Sequence, residues 1–473
     1  MDDAEDLGTV PNAAFPLPFR VLLLAGLGIL GWATNLHGLD IMGVDVVGAM
    51  DLRTLDIHQA IALPSRPATS RGGAENLKAL YRTMYLLCIT YSVWWIAAWA
   101  LFWSATYADP DMVDVFGYIP AVAALVVILI LICPFDLFWR AERDKFLLAL
   151  RRCLLPHREG AVYFSDVVFA DIFTSFAKVL GDVWLSLCML LPGNSLLVPP
   201  DLEGLIRWVL PCVMSIPYAV RFRQCIIEYA SPHNESRRPL YNAIKYATSF
   251  PVIFLSAAQR HVVFDDVETT QAHLHDSWEG ESGLFRLWLL AAAINSLYSF
   301  WWDVTNDWGL DLLKPRGMSS QDDRPGPPKQ LVLPSMVNSP LTSSLPSPTR
   351  EGALNTHYAS VRDQLPYPYG LRPRLLYPIL IYPSLIFFNL VLRLTWSLKL
   401  SSHLHSATDG SMVIFWLEVA EILRRWMWVF VRVEWEVIKR AQEGVRKGGY
   451  FGHHDESEYE LIPTPAGEVH EFP

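Results

Sequence analysis

The chain has 473 residues, of which 52% are hydrophobic and only 18% charged, and its formal net charge is −10. So little charge in so long a chain excludes an ordinary soluble protein, and an acidic balance concentrated in loops and tails gives no basis for binding nucleic acid. The apolar residues gather into runs near the ~20 residues that cross a bilayer. The chain therefore reads as an all-α polytopic membrane protein.

The first 18 residues are acidic (Asp2, Asp3, Glu5, Asp6) and lack the basic start of a cleavable signal. The first apolar run, 19–36, is expected to act as an uncleaved anchor. Further runs follow at 84–102, 116–138, 167–191, 205–220, 240–258, 284–302, 375–396 and 412–433, giving about nine transmembrane helices. Most of the six cysteines lie in or beside these runs with no Cys-x-x-Cys or Cys/His spacing, and read as reduced thiols.

Basic loops orient a membrane chain toward the cytosol. Arg53, Arg66, Arg71, Lys78 and Arg82 follow the first run, and Arg140, Arg143, Lys145, Arg151, Arg152 and Arg158 follow the third. Between them lies a loop with only Asp109, Asp111 and Asp114. Arg221, Arg223, Arg237 and Arg238 are read as loop residues before the sixth run, an acidic loop precedes the seventh, and Lys439, Arg440, Arg446 and Lys447 begin the tail. This alternation puts the N-terminus in the lumen and the C-terminus in the cytosol. The expected division is an acidic luminal segment 1–18, three spans with cytosolic loops in 19–163, a six-span membrane domain 164–440, and an acidic cytosolic tail 441–473. Within the membrane domain, 314–373 is rich in Pro, Ser and Asp and is expected to be a disordered cytosolic spacer. The tail contains Tyr459-Glu-Leu-Ile462, a sorting pattern of a kind that also arises by chance. Asn234-Glu-Ser236 matches a glycosylation pattern, but on the cytosolic side it should stay unmodified. No internal repeat is evident.

Polar side chains inside the apolar runs carry the chemistry. Asp171, Thr174, Lys178 and Asp182 form one stripe along the fourth run. Lys245 and Tyr246 lie in the sixth. Asp303 and Asp307 end the seventh, four apart and so on one helix face, with Gly309 at a plausible stop. Asn389, Arg393 and Trp396 share a face of the eighth, and the ninth carries Glu418, Glu421, Arg424, Arg425 and Arg432. A charged side chain facing lipid costs about 2.5–3.5 kcal/mol at the bilayer centre, so these groups must face one another or a watery cavity. One reading is a set of internal ion pairs, such as Asp171 with Lys178 or Glu421 with Arg425. The other is a cationic path of Lys245, Arg393, Arg424, Arg425 and Arg432, whose arginine forks suit a tetrahedral oxyanion. The interleaved carboxylates would keep binding weak enough for release. Most tryptophans read as an interfacial belt, with Trp396 as the exception. There is no P-loop, no Gly-x-Ser-x-Gly, no His-Glu-x-x-His and no metal-ligand cluster. The His403 and His405 pair is a weak metal candidate. An enzyme, a cofactor or a metal is not expected, and an intramembrane enzyme acting on a lipid phosphate is the rival from that class.

Five stretches then carry a resemblance. Arg221-Phe-Arg-Gln-Cys225, Asn242-Ala-Ile-Lys-Tyr246, Trp302-Asp-Val-Thr-Asn-Asp-Trp-Gly-Leu310, Leu392-Arg-Leu-Thr-Trp396, and Glu421-Ile-Leu-Arg-Arg425 through Arg432-Val-Glu434 occur in one order. The chain resembles the EXS-domain family, the membrane domain of eukaryotic phosphate exporters and of fungal Golgi proteins needed to retain luminal ER proteins. The resemblance covers roughly 164–440. It implies inorganic phosphate as ligand, with a path through Asp171, Thr174, Lys245, Tyr246, Asp303, Asp307, Arg393, Trp396, Arg424 and Arg425, supported by Lys178, Asn389, Glu421 and Arg432. Exporters of the family usually have an amide where Thr174 stands. They also carry a long N-terminal SPX domain, whereas this chain reaches its first span by residue 19, like the short Golgi branch. The implied task is to return luminal phosphate to the cytosol from the Golgi, supporting glycosylation and retention of Golgi and ER residents; ER and plasma membrane are the alternative locations. The implied partners are phosphate, the bilayer, Golgi glycosyltransferases and coat or sorting factors. The alternative is a trafficking adaptor that recruits sorting factors without transporting anything.

Overall fold

A computed structural model describes residues 12–50, 70–155, 162–191, 193–198, 206–232, 234–268, 276–310, 312, 371–372, 375–401 and 410–451. Among them the regular elements are all helical. We number the main helices α1 (Leu17–Ile41), α2 (Ser70–Thr106), α3 (Tyr118–Ile132), α4 (Arg140–Leu154), α5 (Phe164–Ser175), α6 (Ala177–Met189), α7 (Val209–Ala230), α8 (Arg238–Ala247), α9 (Ser249–Glu268), α10 (Asp276–Trp302), α11 (Ile381–Ser401) and α12 (Gly410–Phe451). Three helical stretches are long and apolar enough to cross a bilayer: Leu17–Ile41, Leu77–Thr106 and Gly283–Asp307. The bent pair α5 and α6 makes a fourth, and two shorter helices are also apolar. The expected insertion 314–373 falls outside the described residues except at its end, where Leu371 and Arg372 are buried. Helix α12 runs through Phe451, so regular structure extends into the expected tail. Tyr459, Ile462, His403 and His405 lie outside the described residues.

Helices α1 and α2 form a closely packed pair. Tyr91, Trp95 and Trp99 recur every four residues and so line one face of α2. They donate to α1-side carbonyls in succession: Tyr91 Oη to Leu22 O at 2.6 Å, Trp95 Nε1 to Phe19 O at 3.0 Å, and Trp99 Nε1 to Ala14 O at 3.1 Å. Both indoles are half-buried in the helix interface, and the neighbouring segment supplies each N–H with an acceptor. Trp288, Trp308 and Trp428 are each buried in the core. The tryptophans thus serve packing and helix-to-helix bonding as well as exposed positions such as Trp94, Trp103 and Trp416.

Two helices break beside the same region. α5 and α6 meet at Phe176 with a bend of 59°, and α8 and α9 meet at Thr248. Both breaks carry the tripeptide Thr-Ser-Phe, 174–176 and 248–250. In each, the threonine hydroxyl folds back on the carbonyl three residues earlier: Thr174 onto Asp171 O at 2.7 Å and Thr248 onto Lys245 O at 2.8 Å. Such back-bonding competes with the helix ladder and bends it. The first break also has a notch to bend into, since a Cβ on Gly28 of α1 would lie 2.8 Å from the Phe176 ring.

A third irregularity ends α10. The helix runs straight into a π-helical turn, Asp303–Asp307, of the kind that clusters at functional sites. Gly309 then turns the chain with φ +63°, and a Cβ there would sit 2.5 Å from the Trp435 ring.

Candidate functional site

The breaks and the π turn converge with α7, α11 and α12 on one buried cluster of charge. Lys245 lies in the last turn of α8, where the helix dipole favours a cation. Its Nζ donates to Asp303 Oδ1 and to Asp307 Oδ2, each at 3.1 Å. Those carboxylates sit at the negative end of α10, which is unfavourable for them, and cations compensate. Asp303 Oδ2 also accepts from Arg393 Nη2 at 2.5 Å and Nε at 3.2 Å, and Arg424 Nη1 lies 3.7 Å away. Asn389 bridges the two arms, donating to Asp303 Oδ2 at 3.4 Å and accepting from Arg424 Nη1 at 3.2 Å.

On α12, Arg424 grips Glu421 with two bonds, Nη2 to Oε1 at 2.6 Å and Nε to Oε2 at 2.9 Å. Arg425, one residue on, points to the first helix break instead. Its Nε donates to Ser175 Oγ at 2.9 Å and its Nη2 to Thr174 Oγ1 at 3.0 Å. Its Nη1 is buried with no hydrogen-bond partner. On the other side, Asp171 Oδ1 accepts from Arg221 Nε at 2.8 Å and from Tyr246 Oη at 2.5 Å.

A cavity of about 50 Å³ opens between these groups, lined on its charged side by Lys245, Arg393, Arg424, Arg425 and Glu421. That is several times the ~10–15 Å³ a single water requires, enough for an ion of a few heavy atoms. Arg221, Lys245, Arg393, Arg424 and Arg425 face Asp171, Asp303, Asp307 and Glu421 in the cluster. Five cations against four carboxylates leave one net positive charge around the cavity. Such a space favours an anion held by charge-assisted bonds. Among the described residues no group of His, Cys, Asp or Glu side chains is set to hold a metal.

The structure therefore brings together Asp171, Thr174, Lys245, Tyr246, Asp303, Asp307, Arg393, Arg424 and Arg425, with Asn389 and Glu421 beside them. Two expected pairs are corrected. Asp171 pairs with Arg221 rather than Lys178, which pairs with Asp182, and Glu421 pairs with Arg424 rather than Arg425. The bend at Phe176 separates Asp171 from Lys178, so the straight stripe expected along the fourth run does not form. Arg432 stands outside the cavity, 3.3 Å from Glu436. Trp396 lies on α11, and its side chain is outside the described residues. Arg221, expected in a loop, is buried within α7. The lining also includes Tyr218, Ser249, Asn295 and Ser299, which the sequence reading passed over. Asn295 and Ser299 are four apart on α10, a polar pair on one face of an otherwise apolar run, and that spacing was the available signal.

The family model described as EXS family matches residues 15–438. Protein ERD1 homolog 1 of Schizosaccharomyces pombe is 27% identical over 444 residues, covering 92% of this chain and 94% of that protein. Protein ERD1 homolog 2 of the same organism is 25% identical over 432 residues, covering 88% and 95%. Phosphate transporter PHO1 homolog 8 of Arabidopsis thaliana is 25% identical over 210 residues, covering 43% of this chain and 25% of that protein.

Proposed function

The chain belongs to the EXS family, and from that premise we propose that it transports inorganic phosphate from the Golgi lumen to the cytosol. The observation that carries the reading is the cavity lined by Lys245, Arg393, Arg424 and Arg425, the last of which also has a buried Nη1 without a hydrogen-bond partner. A buried guanidinium with an idle donor is costly unless a ligand completes it. The relative named as a phosphate transporter supports the choice of anion. The similarity to the ERD1 homologs supports a place in the secretory pathway, where phosphate clearance would sustain glycosylation and the retention of resident proteins.

In this reading the chain crosses the membrane about nine times, with a luminal N-terminus and a cytosolic C-terminus. Lys245, Arg393 and Arg425 bind the anion. Asp171, Asp303 and Asp307 hold the cations in place and moderate their pull, so that the anion is released as well as bound. The step is binding and passage, without chemistry on the anion and without a cofactor. The test is phosphate flux in proteoliposomes made from the purified full chain, with Arg425→Ala beside it. Flux in the wild type and its loss in the variant are the expected results. No flux from correctly folded wild-type protein, together with displaced Golgi enzymes on deletion of the tail alone, would favour the adaptor. Turnover of a phospholipid headgroup would favour the lipid-phosphate enzyme.

A further inference from the structure

We infer that the cavity selects a tetrahedral oxyanion that still carries a proton, and that the Glu421 carboxylate makes the selection. The inference rests on the oxyanion reading of the same site and adds which oxyanions it accepts.

The argument is a census of donors and acceptors. Lys245 has three ammonium protons, and two of them go to Asp303 and Asp307. Arg393 spends Nε and Nη2 on Asp303, leaving Nη1. Arg425 has Nη1 idle. Asn295 Oδ1 accepts from both Thr248 Oγ1 at 2.9 Å and Ser249 Oγ at 3.2 Å, so its amide N–H groups are the part left to donate. The residues that carry these donors all line the space, as an oxyanion requires.

Glu421 is the exception. Among the lining residues it is the one side chain that, when ionised, can only accept. A carboxylate has about four lone-pair positions. On Oε1 they take Ser175 Oγ at 2.8 Å and Arg424 Nη2; on Oε2 they take Arg424 Nε alone. One position on Oε2 stays open. An anion seated among the donors therefore meets an acceptor that it must satisfy with a proton of its own.

Phosphate and arsenate keep an O–H near neutral pH and donate it to Glu421. Sulfate has none, so its lone pairs would face those of the carboxylate at short range. A buried site built around a hydrogen bond strongly rejects a ligand that cannot make it. The same carboxylate that weakens general anion binding thus sharpens the choice between anions of equal shape.

The test is equilibrium binding of inorganic phosphate, arsenate and sulfate to the purified full chain in lipid nanodiscs. The wild type should bind phosphate and arsenate alike and sulfate ~100-fold more weakly. In Glu421→Gln an amide N–H can turn to the anion, and the gap should shrink to ~10-fold or less. Glu421→Asp keeps an acceptor and should keep most of the discrimination. Equal binding of phosphate and sulfate by the wild type would overturn the inference while leaving the oxyanion reading intact, and needs no variant to fold. An undiminished gap in a folded Glu421→Gln would remove Glu421 from the role. Failure of all three anions to bind would overturn the transport reading itself.

Discussion

The Lys245 ammonium lies 3.1 Å from the Asp303 carboxylate, and both side chains are buried. Asp303 also meets Arg393 and Arg424, whereas among the described residues Asp307 forms a close ion pair with Lys245 alone. Removing one partner of a buried pair strands the other charge, at about 3–5 kcal/mol. Asp303→Asn should therefore lose stability in that range, and Asp307→Asn roughly half as much or less. Thermal unfolding in detergent or nanodiscs measures both; equal losses would show that the extra cations on Asp303 contribute nothing.

Arg425 should behave in the opposite way. Its guanidinium rests on two hydroxyls and the Trp428 ring, with Nη1 idle and no ion pair among the described residues, so its burial is compensated less fully than that of Lys245 or Arg393. In Arg425→Met the ligand-free protein should unfold at an unchanged or higher temperature. The wild type should be stabilised by added phosphate, and the variant should lose that shift, with affinity reduced ~10–100-fold for one charge-assisted bond. A variant that keeps the full phosphate-induced shift would take Arg425 out of the site.

Gly309 is constrained twice, by a left-handed backbone and by the Trp435 ring. Gly309→Ala should cost about 1–2 kcal/mol from the backbone and about 1–3 kcal/mol from the forced contact. The second part should fall when the same change is made in a Trp435→Phe background. A double-mutant cycle on unfolding free energies reads this directly, and strict additivity would mean that the ring moves aside freely.

Arg143 holds the connection between α3 and α4. Its guanidinium donates to five carbonyls: Ile130, Cys133 at 2.8 Å, Phe135 at 3.1 Å, Leu137 at 2.6 Å and Phe138 at 2.9 Å. Phe138 and Trp139 both have positive φ there. A lysine has three donors on one atom and cannot span this set, so Arg143→Lys should destabilise by about 2–3 kcal/mol and raise proteolysis at 133–139. An unchanged cleavage pattern would mean that the turn holds its own shape.

Much of the charged half of the site was legible because charge in an apolar run is expensive and therefore conspicuous. Lys245, Arg393, Arg424 and Arg425 stand out on that ground alone. Which residue pairs with which was not legible, because spacing along one helix reveals only same-helix neighbours, while Asp171 finds Arg221 from a distant segment. Arg221 itself looked like a loop residue: with Arg223 two places on and Arg237 and Arg238 following, hydropathy ends the fifth run early, whereas α7 continues to Ala230. Hydroxyls such as Tyr218 and Ser249 barely lower hydropathy and so gave no signal. The helix breaks were hidden too. Thr-Ser-Phe is an unremarkable tripeptide, and only its recurrence at two helix breaks gives it meaning.

That recurrence has an architectural consequence. Thr174 belongs to one break, and Lys245 and Ser249 flank the other, so both interruptions contribute side chains to the same cavity. The ligand space is thus walled in part by the two places where the helix ladder is interrupted, where hydroxyl and ammonium groups leave the helix surface together.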